Sequence, residues 1–453
     1  MDKRSNLSLD PQLGCPTPEG RDNEYPARAP EGSSGERLKE AQERAWAGQI
    51  VAMPRRKTSV LRPQTEQAKT VEPAKQTEVF RPKGYDYLGI LHERMEGDMS
   101  RIFNGEMLYP RQLEFHLASD GKQPCNFHCG HCQGSMGDQS LDLDTNKVLN
   151  LIDLIAGRTE YVIFGGQYTE PTLDHQLLDC LTRVKKYGSN FGLTTNGSLL
   201  KRLEESRGFL SGLCEIAEDG DYLTLSLDAG LPESHRRSKN TQEYWFDEII
   251  EGLRLLCSIK ARTGSPLTIR VCYLLNRWNM SEAEISNIVK IARGLPLASL
   301  RFSVPYAIYG HKFSRVRRYR DRWELPTSSE AQQLLEPYVS QDQSELPYIF
   351  YFGPEHQNVD RMNFNQCVHG YYQITVAADG YVYRCSSIAQ PLFSWGRLGP
   401  IPETREELET MILRNQDRSF DCSICFEHGA RCNRVALETN TWYDSVYGGD
   451  SAP

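Results

Sequence analysis

The chain has 453 residues, which is room for two or three domains at roughly 100–200 residues each. Its 52 basic and 60 acidic residues give a net charge of -8, which argues against a dedicated nucleic-acid binder, and no apolar run approaches the ~20 residues of a membrane span. The N-terminus has no apolar signal-peptide core, so we expect a reducing cytoplasm, in which 13 cysteines indicate metal or redox chemistry rather than disulfides.

Residues 1–80 are predicted to be a disordered N-terminal extension. Eight prolines and charges of both signs lie in this segment, and apolar residues are sparse. Such a composition cannot bury enough apolar surface to offset the entropy lost when the chain becomes ordered. We therefore expect this segment to account for the low apolar content of the whole chain, 39 %, and a body of ordinary composition to follow it.

Six short apolar segments after residue 80 alternate with helical patterns. The predicted strands are 113–118, 161–164, 191–195, 222–228, 267–275 and 297–305. Strands that alternate with helices of about a dozen residues or more are typical of βα units and a parallel sheet. Six such units fit either a doubly wound sheet or an incomplete barrel, and periodicity does not choose between them. The predicted domain spans residues 81–305.

The remainder of the chain is predicted to hold a connector and a small α+β domain. Residues 306–360 are less regular than the strands and helices before them and form the connector. Two alternating apolar runs around an Asp-Gly turn predict a β-hairpin over 372–385. This hairpin belongs to a predicted domain at 361–440, which a tail at 441–453 follows.

A tight cysteine loop directly follows the first predicted strand. Cys125, Cys129 and Cys132 place three thiols within eight residues. Three thiolates can hold three irons of a 4Fe-4S cluster and leave the fourth iron open for an external ligand, whereas electron-transfer clusters take four cysteines. Zinc is the alternative, since either His128 or His131 would complete a Cys₃His site. In a barrel, this loop would lie at the C-terminal face, where active sites are built.

The C-x₃-C-x₂-C spacing of this loop resembles the radical S-adenosylmethionine (radical AdoMet, or radical SAM) superfamily. The resemblance covers about residues 110–305 and implies an α/β fold, an incomplete (β/α)₆ TIM-like barrel, which the six predicted strands match. It also implies that the amino and carboxylate groups of AdoMet chelate the open iron. His131 occupies the position before the third cysteine, where the family often has a flat ring over the cluster.

Residues at the strand ends carry the rest of the resemblance. Gly165 and Gly166, with Glu170-Pro171 after them, resemble the Gly-Gly-Glu-Pro element that meets the methionine amino group, although three residues intervene here. Thr195-Asn196 resembles the Thr-Asn-Gly near the nucleoside, Ser226 resembles the serine at the AdoMet carboxylate or ribose, and Asn276 is placed to reach the ribose. Alone, each pattern also suits an ordinary turn, cap or loop start. The predicted AdoMet-binding residues are Gly165, Gly166, Glu170, Thr195, Asn196, Ser226 and Asn276.

The second cysteine group lies after residue 366. Cys367 and Cys385 flank the predicted hairpin, and Cys422 and Cys425 form a C-x₂-C knuckle. From spacing alone, a zinc Cys₄ site and an iron–sulfur site are equally supported. The pattern C-x₁₂-G-x₄-C followed by C-x₂-C resembles the SPASM domain or its shortened twitch form, which implies one auxiliary 4Fe-4S cluster. The position four after Cys432 is an alanine, so Cys432 is either an alternative ligand or a bystander.

The resemblance implies a radical AdoMet oxidoreductase or maturase. A reduced flavodoxin or ferredoxin-type donor supplies one electron, AdoMet yields a 5′-deoxyadenosyl radical, and the radical takes a hydrogen atom from the substrate. Oxidative modification of a peptide or protein is expected, as in the maturation of ribosomally made peptides, with a separate leader-peptide reader as a potential partner. The alternative substrate is a sugar or aminocyclitol in natural-product biosynthesis. A zinc-stabilised, non-enzymatic α/β scaffold or binding protein is the competing class.

Two further features carry no assigned role. The basic stretch at 311–322 is interpreted as a solvated face or a contact for anionic substrate groups rather than a nucleic-acid site, because the chain is acidic overall. Asp228 and Glu114 have side chains able to move protons, but the sequence does not assign a catalytic acid or base.

Overall fold

The computed structural model describes residues 98, 101–102, 104–118, 123–132, 141–166, 168–304, 326–342, 344–352 and 369–417. The chain divides into two units, Met1–Gln76 and Thr77–Pro453, and every described residue belongs to the second. The predicted extension at 1–80, the basic stretch at 311–322 and four predicted auxiliary ligands lie outside the described residues. Those four ligands are Cys367, Cys422, Cys425 and Cys432.

Ten strands form one open sheet in the described part of the chain. They are β1 (Gln112–His116), β2 (Tyr161–Gly165), β3 (Asn190–Thr195), β4 (Tyr222–Ser226), β5 (Thr268–Leu274), β6 (Ser299–Ser303), β7 (Tyr348–Phe352), β8 (Gln373–Val376), β9 (Tyr381–Tyr383) and β10 (Arg397–Pro400). Their order is β10-β9-β8-β1-β2-β3-β4-β5-β6-β7, and β8 and β1 to β7 are parallel. Because β7 and β10 lie at opposite edges, the sheet does not close. The predicted α/β class with an incomplete barrel is confirmed.

Most of the helices connect the parallel strands, and the last one follows β10. They are α1 (Thr145–Ile155), α2 (Leu177–Lys186), α3 (Leu200–Arg207), α4 (Phe209–Ile216), α5 (Pro232–Lys239), α6 (Tyr244–Thr263), α7 (Glu282–Arg293), α8 (Ser328–Leu335) and α9 (Arg405–Asn415). Side-chain caps set several of their starts: Ser281 accepts from a backbone N–H of α7, and Thr404 and Glu407 form a capping box at α9. None of the helices among the described residues is long and apolar enough to cross a membrane.

The segment at 306–360 contains a further βα-type unit, which sequence reasoning did not predict. Helix α8 lies in it, and β7 extends the parallel sheet beside β6, with Ser299 opposite Tyr348 and Ser303 opposite Phe352. The strand is a short aromatic run, which periodicity alone does not separate from an irregular segment. Its burial comes from pairing with β6, a tertiary contact.

The predicted hairpin at 372–385 forms β8 and β9, and β8 pairs in parallel with β1 on the side away from β2. Gln112 lies opposite Gln373, and Phe115 lies opposite Val376. The hairpin therefore continues the sheet of the barrel. As a result, the first strand has a neighbour on both sides, and its backbone N–H and C=O groups are paired in the interior of the sheet.

The two faces of the parallel sheet differ in chemistry. Alternate residues such as Phe115, Phe164 and Leu193 are fully buried in one apolar core with the helices. Burying each such side chain contributes roughly 1.5–3 kcal/mol. The intervening positions on the other face are largely polar, as with Glu114 and Ser226. Since parallel strands end at one edge, the loops after β1 to β5 gather polar side chains there.

Candidate functional site

The cysteine loop follows β1 and is anchored by one buried aromatic ring. Phe127 is 5 % exposed and meets the rings of His235 and Trp245 edge-on, with centroids 5.8 and 5.7 Å away. The backbone N–H of Cys132 donates to the Cys129 carbonyl over 3.0 Å, which closes the second half of the loop. This arrangement fixes the backbone of the loop, and its three cysteines are half-buried.

Burial dominates the electrostatics of these thiols. It raises the pKa of Cys125 to about 12, against hydrogen bonds from the Phe127 N–H and the Asn196 amide, and it also raises the pKa of Cys129. The donor–sulfur distances at Cys125 Sγ are 3.4 Å from Phe127 N and 3.7 Å from Asn196 Nδ2. Two N–H donors directed at one sulfur suit a thiolate that is a metal ligand, because such donors stabilise its negative charge.

The donor set fits an iron–sulfur cluster. Three thiols lie on one short loop, and two N–H donors already point at the first of them. Within the described ranges, no three His, Cys, Asp or Glu side chains converge closely enough to hold one metal ion. A cubane cluster does not need such convergence, since each cysteine binds a different iron. Cys125, Cys129 and Cys132 are therefore the residues that would hold it.

The loop after β2 packs against the cysteine loop. Gly166 has a φ of 150°, and a Cβ there would lie 1.9 Å from Thr169 Oγ1, so the close turn requires glycine. The backbone N–H of Glu170 donates to the Pro124 carbonyl over 2.7 Å, directly before Cys125. The glycine pair and Glu170 are thus placed beside the first cysteine.

The Glu170 carboxylate is buried and accepts hydrogen bonds from the protein itself. Thr195 Oγ1 donates over 2.6 Å, the Asn196 backbone N–H over 2.7 Å, and Thr172 donates through both its hydroxyl and its backbone. Burial raises the pKa of Glu170, and these donors oppose that rise. A carboxylate has about four lone-pair sites, so most of its accepting capacity is used within the chain.

At the end of β3, the Asn196 side chain is fixed on every polar atom. Its Oδ1 accepts from the Ser198 backbone N–H (2.9 Å) and hydroxyl (2.6 Å), and its Nδ2 donates to Asn126 Oδ1 (2.9 Å) as well as to Cys125 Sγ. Asn126 in turn donates to Ser198 Oγ over 2.8 Å. This closed set joins the cysteine loop to the end of β3.

Asp228 lies after β4 and anchors the other side of the cysteine loop. It has a φ of 56° and forms a buried ion pair with Lys239, the last residue of α5. Its carboxylate also lies 3.6 Å from His131 Nε2 and accepts from the Leu274 backbone N–H over 2.7 Å. Burial disfavours the Asp228 anion, but Lys239 and His131 outweigh it, and the pKa of Asp228 is lowered. Burial also lowers the pKa of His131, to about 4.

Two predicted AdoMet ligands lie at the end of β4 and after β5. Ser226 is half-buried at the end of β4. Asn276 is fully buried, and its amide contacts the Ser238 hydroxyl, the Leu274 carbonyl and the Trp278 backbone N–H. These contacts describe a polar residue at a loop start, the alternative that the sequence left open for Asn276, and its role at the ribose stays a prediction.

The predicted auxiliary ligand Cys385 is buried and follows β9. It directly precedes a short 3-10 turn at Ser386–Ile388. Because the other four members of its group lie outside the described residues, its role in an auxiliary cluster stays a prediction.

Sequence reasoning missed Lys239 and Asn126. Lys239 is 2 % exposed, yet α5 is a short, almost wholly polar helix whose sequence reads as solvated. Asn126 lies between two predicted ligands and would pass as a loop residue. Only for Asn126 was a signal present, since an amide next to a metal-binding cysteine is placed to hydrogen-bond within the loop.

A buried polar chain runs from β1 to β8 on the polar face of the sheet. His116 Nε2 lies 3.0 Å from Glu114 Oε1, the Gln373 amide donates to Glu114, and His369 Nε2 lies 2.9 Å from Gln373 Oε1. His116 and Gln373 are almost completely buried, and the Glu114 side chain is 15 % exposed. These hydrogen-bonded side chains hold the Glu114 carboxylate in one orientation.

Comparison with known proteins gives one family match, to the Radical SAM superfamily over residues 123–286. The probable GTP 3′,8-cyclase of Thermococcus kodakarensis is 27 % identical over 145 residues, which are 30 % of this chain and 43 % of that protein. The tungsten-containing aldehyde ferredoxin oxidoreductase cofactor-modifying protein of Pyrococcus furiosus is 30 % identical over 105 residues, 23 % of this chain and 28 % of that protein. The chain thus spans less than half the length of these curated relatives.

Among solved structures, Streptococcus suis SuiB bound to S-adenosylmethionine aligns with a TM-score of 0.49 and 12 % identity. The alignment covers 76 % of this chain and 74 % of SuiB.

Proposed function

We propose, from the match of residues 123–286 to the Radical SAM superfamily, that the protein reductively cleaves AdoMet to methionine and a 5′-deoxyadenosyl radical, and that this radical abstracts a hydrogen atom from a substrate. A 4Fe-4S cluster bound by Cys125, Cys129 and Cys132, together with AdoMet, would supply the one-electron chemistry. The observation that carries the proposal is the position of these thiols on one anchored loop after β1, where the loops after β2, β3 and β4 meet it.

The chain's own residues would bind and orient the cofactors. Gly165 and Gly166 have no side chain at the end of β2, and we propose that this lets the AdoMet amino group approach the backbone there. Ser226 at the end of β4 is proposed to hydrogen-bond the AdoMet carboxylate or ribose. His131, held beside Asp228, is proposed to lie against the cluster.

For the substrate, we favour oxidative modification of a peptide or protein, with oxidation of a sugar or aminocyclitol as the second candidate. The polar face of the sheet supports a substrate with polar groups, because Glu114 on β1 and Arg270 on β5 lie at positions of that face. The two candidates are separated by assaying 5′-deoxyadenosine release with any short precursor peptide that is encoded beside this gene and, in parallel, with a panel of sugars and aminocyclitols. Release above background with only one of them decides between the classes.

An auxiliary 4Fe-4S cluster on Cys367, Cys385, Cys422 and Cys425 is proposed to accept the electron that the substrate loses, with Cys432 as the alternative ligand. Two clusters require about eight irons per chain, whereas the catalytic cluster alone requires about four. Iron and sulfide analysis of wild type and of Cys385→Ala separates the two cases. Equal iron in both proteins would contradict a ligand role for Cys385.

The main test of the proposed function is anaerobic purification with iron, sulfide and zinc analysis. We expect Cys125→Ala, Cys129→Ala and Cys132→Ala each to lose about four irons per chain and to release no 5′-deoxyadenosine from AdoMet with dithionite, since an incomplete thiol set does not hold the cluster. Cys257→Ala is the matched control, because it removes a thiol buried in α6 and should retain both properties.

Two results would contradict the proposal. Stoichiometric zinc in place of iron would support the scaffold or binding-protein class instead. Wild-type protein with full iron and sulfide that releases no 5′-deoxyadenosine under reducing conditions would refute AdoMet cleavage.

A further inference from the structure

We propose that Asn196 is a positioning residue for the catalytic cluster: its amide holds Cys125 through Asn126 and through a direct N–H to sulfur hydrogen bond that raises the cluster's reduction potential. This inference rests on the proposed function, because it assigns residues around the predicted cluster. It differs from the role that the resemblance gives to Asn196, which is contact with the nucleoside.

The orientation of the Asn196 amide follows from its neighbours. The Ser198 backbone N–H can only donate, so the atom it meets at 2.9 Å must be the amide oxygen. The amide nitrogen then faces Asn126 Oδ1 at 2.9 Å and Cys125 Sγ at 3.7 Å. Its two hydrogens have one acceptor each, and rotation of the amide would lose both bonds.

A ring of hydrogen bonds fixes this amide relative to the cysteine. The Glu170 backbone N–H donates to the Pro124 carbonyl, and the Glu170 carboxylate accepts from the Asn196 backbone N–H, each over 2.7 Å. Asn196 then returns to Cys125 Sγ, and Cys125 is covalently joined to Pro124. The ring therefore closes through the ends of β2 and β3 and through the cysteine loop.

The ring also accounts for the three residues that separate Gly166 from Glu170. The Glu170 backbone N–H donates to the Pro124 carbonyl, and its carboxylate accepts hydrogen bonds from Thr172, Thr195 and Asn196. In this position, Glu170 supports the cysteine loop from the side of β3. We infer that its main role in this chain is to orient Asn196.

Hydrogen bonds to ligating sulfurs are one of the determinants of iron–sulfur potentials. Reduction adds negative charge to the cluster and its thiolates, and an N–H donor stabilises that charge. Removing the Asn196 donor should therefore make the cluster harder to reduce. At a fixed solution potential, we expect the ratio of reduced to oxidised cluster to fall about two- to tenfold, because the loss of one hydrogen bond changes an equilibrium by about that factor.

The experiment is a redox titration of the reconstituted full chain, monitored by electron paramagnetic resonance. The potential is read from the signal that changes when AdoMet is added. That criterion selects the cluster with the open iron from any auxiliary cluster. The variants are Asn196→Ala, which removes the donor, and Asn126→Ala, which removes the acceptor that orients it. The matched control is Asn287→Ala on α7, which loses one part-buried amide hydrogen bond of 2.6 Å to the Gly230 carbonyl.

We expect a lower potential in Asn196→Ala, a smaller decrease in Asn126→Ala and the wild-type potential in Asn287→Ala. A merely structural role would lower the melting temperature of all three without moving the potential. Wild-type potentials in both Asn196→Ala and Asn126→Ala, at full iron content, would overturn the inference. If Asn196→Ala does not retain its cluster, Asn126→Ala decides the question. A wild-type protein with no AdoMet-sensitive signal would refute the proposed function, and this inference with it.

Discussion

At the scale of single residues, the least expected feature is the buried ion pair between Asp228 and Lys239. Asp228 and Lys239 are 1 % and 2 % exposed, beside the cysteine loop. Burial works against the charge of Lys239, but Asp228 outweighs it and raises the lysine's pKa. Asp228 also has a left-handed backbone, which Asp and Asn adopt more readily than most residues. The pair therefore fixes a strained loop next to His131.

Asp228→Asn should lower the free energy of unfolding by about 3–5 kcal/mol, because it leaves the Lys239 cation buried without its counter-charge. Asparagine tolerates the same backbone conformation, so the change reports on charge. Urea denaturation followed by circular dichroism measures the effect. Asp228→Asn/Lys239→Met should recover part of the loss, and a double variant less stable than Asp228→Asn would contradict this account.

At the scale of elements, the loop after β4 is docked on α7 through its backbone. The Gly230 N–H donates to the Glu284 carboxylate over 2.7 Å, and the Gly230 carbonyl accepts from Asn287 over 2.6 Å. A Cβ on Gly230 would lie 2.0 Å from the Glu284 carbonyl oxygen, a backbone atom that cannot turn aside. Helix α7 therefore fixes the backbone of this loop at Gly230.

Gly230→Ala should destabilise the protein by about 1–3 kcal/mol, the usual cost of overpacking a close contact. Thermal unfolding measures it. Gly294→Ala is the control, since its nearest backbone contacts are 3.4 and 3.5 Å and its backbone is right-handed, so that variant should unfold close to wild type. Equal melting temperatures for the two variants would show that the loop can move away from α7.

At the scale of the whole molecule, segments distant in sequence form one sheet. Residues 369–417 supply β8 next to β1, and Gln416 after α9 bonds both the N–H and the carbonyl of Leu108, 308 positions away in sequence. Gln373 reaches across from β8 to Glu114. The first strand, which leads into the cysteine loop, is therefore held by residues near the other end of the described chain.

Amides of β1 and β8 should exchange with solvent together, with similar free energies of opening, because neither strand is paired fully without the other. Hydrogen exchange followed by mass spectrometry of the intact chain tests this. The edge strand β10 serves as an internal reference that should exchange earlier. Fast exchange in β8 alongside full protection of β1 would show that the C-terminal segment opens independently.

Sequence reasoning predicted local features well and long-range contacts poorly. The six alternating strands were predictable because each is a short apolar run bounded by polar turns. The strand β7 was missed because its burial depends on β6, and Lys239 was missed because a polar helix gives no sign that one of its residues faces a carboxylate inside the protein. The predicted roles of Gly165, Ser226 and Cys385 stay predictions.

By itself, the sequence determined the α/β alternation and the spacing of the cysteine loop, since both depend on near neighbours along the chain. The tertiary structure decided which side chains reach that loop. Asn196 meets Cys125 and Lys239 meets Asp228 because parallel strands end at a common edge, and pairing across the sheet fixes that edge. The thirteen cysteines indicated redox or metal chemistry from the start; the fold places three of them among the donors and charges that surround one site.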